Sequence, residues 1–379
     1  MLLAGVAAGC SSEQQPDFHL DTTPWPTEVS FAAAMYQSLG VMMQPGHTLE
    51  RIDNGAVFDA IVEEIAGART SIHVLAYIWT PGRASDRIAE ALAARDPAVE
   101  CRILVDAFGS SSFDDELREP LTRAGCEVRV FRPLPGSEAI ARNHRKLVVA
   151  DGKTAITGGF GIGDNWLGDG TREDEWRDTH VRFRGPAVAQ AQQAFAENWQ
   201  EAGGGLLPMH TFPPAAPVGP ASAAFVTSTA SPVVSRAERM THLLLAAGKQ
   251  RIWLSIAYFV PPEPMLEVLK RKADAGVDVR LLTAGVKSDS KTAFGSQQFD
   301  YDELTRHGVR VWEYRPTMMH AKTMVVDETI AVVGSQNLDP LSLHSLEEGS
   351  LVIDDATFNA GLAAAFLRDC ELADEVAPD

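Results

Sequence analysis

Asn143-His144-Arg145-Lys146-Leu147-Val148-Val149-Ala150-Asp151, running on to Gly158-Gly159, is matched 176 residues later by Met319-His320-Ala321-Lys322-Thr323-Met324-Val325-Val326-Asp327, running on to Gly334-Ser335. In each stretch Lys follows His by two residues, Asp follows Lys by five, and a small pair begins seven residues after the Asp. A lone His-x-Lys on a strand usually marks a solvated face. Duplication of the whole pattern inside a wider repeat marks a site.

The wider repeat is visible on both sides. Ala66-Gly67 and Tyr77 are echoed by Ala247-Gly248 and Tyr258, and Arg102-Ile103-Leu104 by Arg280-Leu281-Leu282. Phe131-Arg132-Pro133 is echoed by Tyr314-Arg315-Pro316. The near-constant offset makes the repeat a whole domain rather than a solenoid unit. Within the first copy, apolar Phe58, Ile61, Val62 and Ile65 predict a helix over 56–68. Ser71 to Trp79 has almost no polar face and suits a strand in a sheet covered on both sides. A helix (85–95), a strand (99–106), a helix (113–124) and a strand (127–131) follow. This alternation predicts an α/β fold. The expectation is two tandem α/β domains, residues 47–204 and 222–379, with mixed, mainly parallel sheets. A pseudo-twofold axis would relate them around one shared active site. The Gly- and Pro-rich stretch 205–221 reads as the linker.

Residues 1–46 form an N-terminal segment. Its start is apolar up to Cys10 and polar after it, as in the remnant of a lipoprotein signal, with Cys10 the lipidation candidate. Ser30 to Gly40 predicts a short helix packed on the body of the protein. No run of about 18 apolar residues occurs, so no membrane-spanning helix is expected.

The 379 residues are 45% hydrophobic and 22% charged, ordinary for a globular chain, but the net charge is −18. Such a balance argues against general attraction to nucleic acid or anionic lipid, so a phosphate site here must be a local island of positive charge. Cys101, Cys126 and Cys370 show no metal-ligand spacing. Cys101 and Cys126 lie in strand-like runs and read as buried free thiols, with a disulfide left open. His73 reads as a core histidine, and His180, His242, His307 and His344 as structural or surface residues. Core packing is the expectation for most of Trp79, Trp166, Trp176 and Trp199, with a groove lining as the alternative.

Residues two apart on a strand share a face, so His144 projects with Lys146, and His320 with Lys322. Asp151 and Asp327 complete the motif and are counted with the catalytic set, although hairpin turns at those positions favour a structural role. The small residues after each hairpin allow backbone donors to approach an anion. If the two halves converge, one His can attack phosphorus while the other protonates the leaving oxygen, the roles reversing in a second step. Such a pair predicts a bell-shaped pH profile from one neutral and one protonated imidazole. No metal or other cofactor is needed. Asp178 and Glu348 are the carboxylates expected to orient the imidazoles.

These residues resemble the phospholipase D superfamily, whose mark is a paired His-x-Lys-x4-Asp motif. Within it, Asn143 to Lys146, Gly163-Asp164, Trp176 to Val181 and Gly334 to Pro340 are similar to bacterial cardiolipin synthases. The resemblance implies that His144 forms a phosphatidyl-histidine intermediate and that His320 protonates the leaving alcohol. It also implies that Lys146, Lys322, Ser335 and Asn337 bind phosphate, with Gly159 counted beside them as a small residue whose backbone can approach the anion. Gly161 departs from the family, which carries an Asn there mirroring Asn337, and Leu341 and Leu346 replace polar residues. The implied reaction joins two phosphatidylglycerol molecules into cardiolipin at a bacterial envelope membrane, with Cys10 as a possible anchor. The implied partners are an anionic phospholipid and the membrane surface, with no nucleic acid. A phospholipase D hydrolase releasing phosphatidic acid, a nuclease or other phosphodiesterase, and a lipid-binding protein with vestigial catalysis stand as alternatives.

Overall fold

Strand-forming runs without a polar face need cover on both sides, and Ser71–Ala76 has it, every residue being buried. The computed structural model describes residues 18, 20, 25–133, 141–231 and 233–377. Cys10 lies outside them. The chain enters through α1 (Phe31–Leu39), whose first turn is capped by the Ser30 hydroxyl accepting from the Ala33 N–H. The first repeat then runs β1 (Gln44–Asp53), α2 (Ala56–Gly67), β2 (Ser71–Ala76), α3 (Arg83–Ala94), β3 (Glu100–Asp106) and α4 (Asp115–Arg123). It finishes with β4 (Glu127–Phe131), β5 (Leu147–Ala150), β6 (Thr154–Gly158), β7 (Thr179–Arg184) and α5 (Ala187–Glu201).

The second repeat replays this order. It comprises β8 (Ala221–Ser228), α6 (Arg236–Ala247), β9 (Arg251–Ile256), α7 (Glu263–Asp274), β10 (Asp278–Ala284), α8 (Lys291–Gln297) and α9 (Tyr301–Arg306). Then come β11 (Arg310–Tyr314), β12 (Lys322–Val326), β13 (Ile330–Gly334), β14 (Glu348–Asp354), α10 (Ala356–Glu371) and β15 (Ala373–Glu375).

All the strands join one 15-stranded sheet, ordered β15-β11-β10-β9-β12-β13-β14-β8-β1-β7-β6-β5-β2-β3-β4. Leaving out β15, the order is a palindrome once each strand is exchanged for its counterpart in the other repeat. The pseudo-twofold axis therefore falls between β1 and β8, which pair antiparallel. The mixed α/β architecture matches the expectation, but a mainly parallel sheet does not. Parallel pairing is confined to β2-β3-β4 and β9-β10-β11. The central strands are antiparallel because β5-β6 and β12-β13 are tight hairpins, which admit no other pairing.

β1 crosses the boundary expected at residue 46 and welds the two halves into one sheet through β7 and β8. One hydrophobic core joins both repeats, with Phe183 and Phe195 packed in the same cluster as Phe225, Leu351 and Phe366. Each repeat also keeps its own core on the other face. α1 packs through Met35 and Leu39 on the second repeat's core although it precedes the first. The free-thiol expectation for Cys101 and Cys126 is corrected: they form a disulfide, their Cα atoms 4.5 Å apart. Cys101 lies on β3 and Cys126 enters β4, and the parallel pairing of these strands brings the two thiols together.

Candidate active site

Each motif sits on a hairpin whose turn residue adopts a left-handed conformation, φ 55° at Asp151 and 47° at Asp327, which Asp tolerates better than most residues. The Asp151 carboxylate accepts the N–H groups of Arg69 (3.0 Å), Thr70 (2.7 Å) and Ser71 (3.1 Å). Asp327 accepts those of Lys249 (3.0 Å), Gln250 (2.7 Å) and Arg251 (3.1 Å). Both carboxylates thus stitch a hairpin to the loop entering the neighbouring strand, about 16 Å of strand from the lysine. They are not at the cleft, which corrects their place in the catalytic set.

The His ends of the hairpins meet across the pseudo-twofold axis. The His144 N–H donates to Glu347 O (2.9 Å), and the Glu347 N–H donates to Arg142 O (2.8 Å). The His320 N–H donates to Arg177 O (2.7 Å), and the Arg177 N–H to Met318 O (2.9 Å). These bridges place each imidazole beside the other repeat's carboxylate. His144 Nδ1 lies 2.9 Å and 3.1 Å from the Glu348 oxygens, and His320 Nδ1 lies 2.8 Å from Asp178 Oδ2. Asp178 and Glu348 therefore each hold the histidine of the opposite repeat through its Nδ1. With Nδ1 engaged, Nε2 is the ring nitrogen left for chemistry.

Both histidines line one cleft of about 740 Å³, together with Lys146, Asn337, Tyr77 and Tyr258. The Lys146 ammonium donates to His144 O (2.7 Å) and the Lys322 ammonium to His320 O (2.5 Å). Each lies over a tyrosine ring, Lys146 over Tyr77 at 5.1 Å and Lys322 over Tyr258 at 6.0 Å, which gives those repeat-marking tyrosines a place in the site. The Asn337 amide oxygen is buried without a partner, so this residue keeps polar capacity for a ligand. Ser335 and Gly159 do not form the cradle expected of them. The Ser335 hydroxyl donates to Glu348 Oε2 and accepts the Gly349 N–H (3.0 Å). Gly159 lies against Asp178, where a Cβ would meet the carboxylate oxygens at 2.4 Å.

Burial dominates the electrostatics. It pushes His144 down to about 4 against the pull of Glu348, and it holds His320 well below the ordinary imidazole range, with Lys322 adding to the effect. Lys146 falls to about 7 and Lys322 to about 8, both through burial. Burial opposes the Glu348 charge, yet His144, Lys146 and Ser335 keep its carboxyl below the usual range. The free site thus holds neutral imidazoles donating from Nδ1 to carboxylates. Outside the cleft, Glu263, Glu267 and Glu303 form the acidic group with metal-like spacing among the described residues, but the Lys270 ammonium binds all three at 2.5–3.2 Å.

Several supporting residues escape a sequence reading. Arg145, between His144 and Lys146, is fully buried and bonds Asn198 Oδ1 (2.7 Å), Ser228 O (3.1 Å) and Glu348 O (3.2 Å). Arg177 is clamped by Asp369 at 2.8–3.0 Å. Asp106 accepts the N–H groups of Phe108, Gly109 and Asn143, fixing the approach to the first motif. The only sequence signal for the two arginines was adjacency to His144 and Asp178. Of the tryptophans, Trp79 and Trp199 are core residues, whereas Trp166 and Trp176 contact His320. His73 is a core histidine, bonded to Gln192 and stacked on Phe195.

Two α/β repeats that each carry a His-Lys pair, with both histidines opening on one cleft, define the phospholipase D superfamily. The family described as "Cardiolipin synthase, PLD-like domain" matches residues 61–199 and 241–370, and the chain belongs to it. It is 31% identical over 377 residues to cardiolipin synthase A of Pseudomonas fluorescens, covering 95% of this chain and 78% of that one. It is 32% identical over 314 residues to cardiolipin synthase 1 of Bacillus cereus, with 78% of this chain matched but only 61% of the relative. In fold it is similar to phosphatidylserine synthase of Haemophilus influenzae Rd KW20, at a TM-score of 0.71 and 14% identity, over 91% and 92% of the two chains.

Proposed function

We propose that this chain is a phosphatidyltransferase that joins two phosphatidylglycerol molecules into cardiolipin and releases glycerol. The observation that carries this reading is the pair of crossed dyads, His144–Glu348 and His320–Asp178, opening on one cleft. In the first step His144 Nε2 bonds to the phosphorus while the bond to the glycerol oxygen breaks, and His320 gives that oxygen a proton. In the second step the hydroxyl of another phosphatidylglycerol attacks the phosphorus, His320 takes its proton, and the bond to His144 breaks. Lys146, Lys322 and Asn337 hold the non-bridging oxygens as charge redistributes. Because both imidazoles are neutral in the free site, His320 takes up its proton from solvent as the anionic substrate binds, the substrate's charge favouring imidazolium.

The same reading places the cleft at a bacterial envelope membrane. Phe108 and Leu341, one from each repeat, line the cleft yet are 56% and 54% exposed, which suits contact with lipid. Among the described residues no helix is long and apolar enough to cross a membrane, so a peripheral placement, with Cys10 as the candidate anchor, is part of the proposal. The Cys101–Cys126 disulfide supports an oxidising compartment for the domain. The charge of −18 disfavours nucleic acid as substrate.

The test offers purified protein phosphatidylglycerol vesicles without added metal and identifies products by mass spectrometry. Cardiolipin with glycerol is the expected result. Phosphatidic acid would assign the hydrolase reaction to the same residues, and an absence of any phosphodiester turnover would overturn both.

A further inference from the structure

The two dyads are alike in geometry but are held from behind by different chemistry. Glu348 is braced by the hydroxyl of Ser335, the second small residue after the β12–β13 hairpin. The equivalent position after the β5–β6 hairpin is Gly159, which has no side-chain donor to offer. A serine there would also have to displace Asp178 from its present position, since a Cβ would lie 2.4 Å from both carboxylate oxygens. Asp178 instead receives the indole N–H of Trp166 at 2.9 Å, on the same Oδ2 that lies 2.8 Å from His320 Nδ1. The Thr179 N–H occupies the other oxygen at 2.8 Å.

The indole reaches this place because another side chain is missing. Gly161 stands where the second repeat has Asn337, and a Cβ on Gly161 would meet the Trp166 ring at 2.7 Å. The first repeat has therefore given up both the serine and the asparagine of the second, and one tryptophan fills the space. Trp166 is 2% exposed, meets His320 edge to face at 5.3 Å, and packs on Trp176, which tilts over the same imidazole at 4.9 Å. We propose that Trp166 is a positioning residue for the reaction described above, its indole N–H fixing Asp178 on His320 in the role that Ser335 has for Glu348 and His144.

The two braces differ in kind. A hydroxyl donates and accepts, and Ser335 does both, whereas an indole N–H only donates. Loss of either donor leaves the carboxylate with one hydrogen bond fewer, and it then holds its imidazolium more tightly. The effect is local to one dyad.

The experiment compares full-length wild type, Trp166→Phe and Ser335→Ala, with steady-state kinetics on phosphatidylglycerol and NMR titration of 15N-histidine-labelled protein. Trp166→Phe is expected to lower kcat by about tenfold with KM within about twofold. It should raise the titration of His320 and leave that of His144 in place, and Ser335→Ala should do the reverse. If Trp166→Phe does not fold, 3-benzothienylalanine at position 166 replaces only the N–H by sulfur, with the same expectation. An unchanged His320 titration and kcat in whichever substituted protein folds would overturn the proposal, as would equal shifts of both histidines. The NMR arm needs no turnover, so an inactive wild type would count against the transferase reading and leave this inference tested separately.

Discussion

His144 Nδ1 and Glu348 Oε1 lie 2.9 Å apart although 204 residues separate them in the chain. The partner pair, His320 and Asp178, is 142 residues apart and closes at 2.8 Å. Each repeat therefore supplies the histidine of one dyad and the carboxylate of the other, and neither half contains a complete dyad.

Replacing a carboxylate by its amide keeps the shape but removes the charge that fixes the imidazole tautomer. Glu348→Gln and Asp178→Asn are each expected to lower kcat by roughly 10²- to 10⁴-fold. Thermal unfolding should change little by comparison. Steady-state kinetics beside calorimetry checks this, and near-wild-type kcat in either variant would remove the dyads from the mechanism.

Asp151 and Asp327 should behave in the opposite way. Each carboxylate takes three backbone N–H groups, so Asp151→Ala or Asp327→Ala is expected to cost about 1–3 kcal/mol of stability. Activity per folded molecule should stay within about threefold. Burial opposes the charge of Asp151, but the N–H groups of Thr70, Ser71 and Arg69 hold its pKa below the usual value. Its contribution is thus present above the unfolded-state pKa of about 3.9 and is lost as pH falls through the lower folded value. Denaturant unfolding of wild type and Asp151→Asn at pH 7 and pH 3 should show the difference shrinking at acid pH.

The domain repeat, the two His-Lys pairs and the two carboxylates that hydrogen-bond the histidines were legible in the sequence, because each left a local pattern. The crossing of the dyads was not, since it depends on backbone bridges such as Asn143 with Glu347 that span the pseudo-twofold axis. β1 was hidden because Gln44–Asp53 carries Pro45, Gly46 and several charged residues, and its burial does not alternate cleanly. Ser335 and Gly159 were assigned to the phosphate because smallness near the motif is compatible with two uses. Only the position of the carboxylate behind them decides between anion contact and dyad support.

The disulfide makes a separate prediction. Cys101 and Cys126 lie 25 residues apart, and removing such a link typically costs about 2–4 kcal/mol. Dithiothreitol, or Cys101→Ala with Cys126→Ala, should lower the melting temperature of otherwise active protein. Alkylation under non-reducing denaturing conditions should leave both residues unmodified, and alkylation of either would show the bond absent in solution.

The pH dependence differs from that of a pair of ordinary imidazoles. Lys146 at about 7 and Lys322 at about 8 lose their charge as pH rises, and phosphate binding needs that charge. The kcat/KM of the free enzyme is therefore expected to decline with rising pH already below the ordinary imidazole range, where His320 loses its proton, and to fall more steeply through pH 7–8. The acid side should hold until His144 protonates near 4. Lys146→Arg, with a guanidinium that stays charged, should lower overall activity and move the alkaline limb upward. A limb centred near 6.5 that is indifferent to Lys146→Arg would assign the transition to a histidine instead.

Phe108 and Leu341 should matter only when the substrate lies in a bilayer. Both are more than half exposed at the cleft, and neither is bonded to the dyads, so a charge there leaves the chemistry intact but opposes entry into lipid. Phe108→Asp combined with Leu341→Asp is expected to cut turnover of phosphatidylglycerol vesicles by about tenfold or more. The cost of placing charge against the membrane is partial, because the side chains sit at the interface rather than at the bilayer centre. Turnover of a short-chain, monomerically dissolved phosphatidylglycerol should change by less than about twofold. Equal losses on both substrates would mean that the residues shape the cleft itself, and equal activity on vesicles would place the membrane contact elsewhere on the surface.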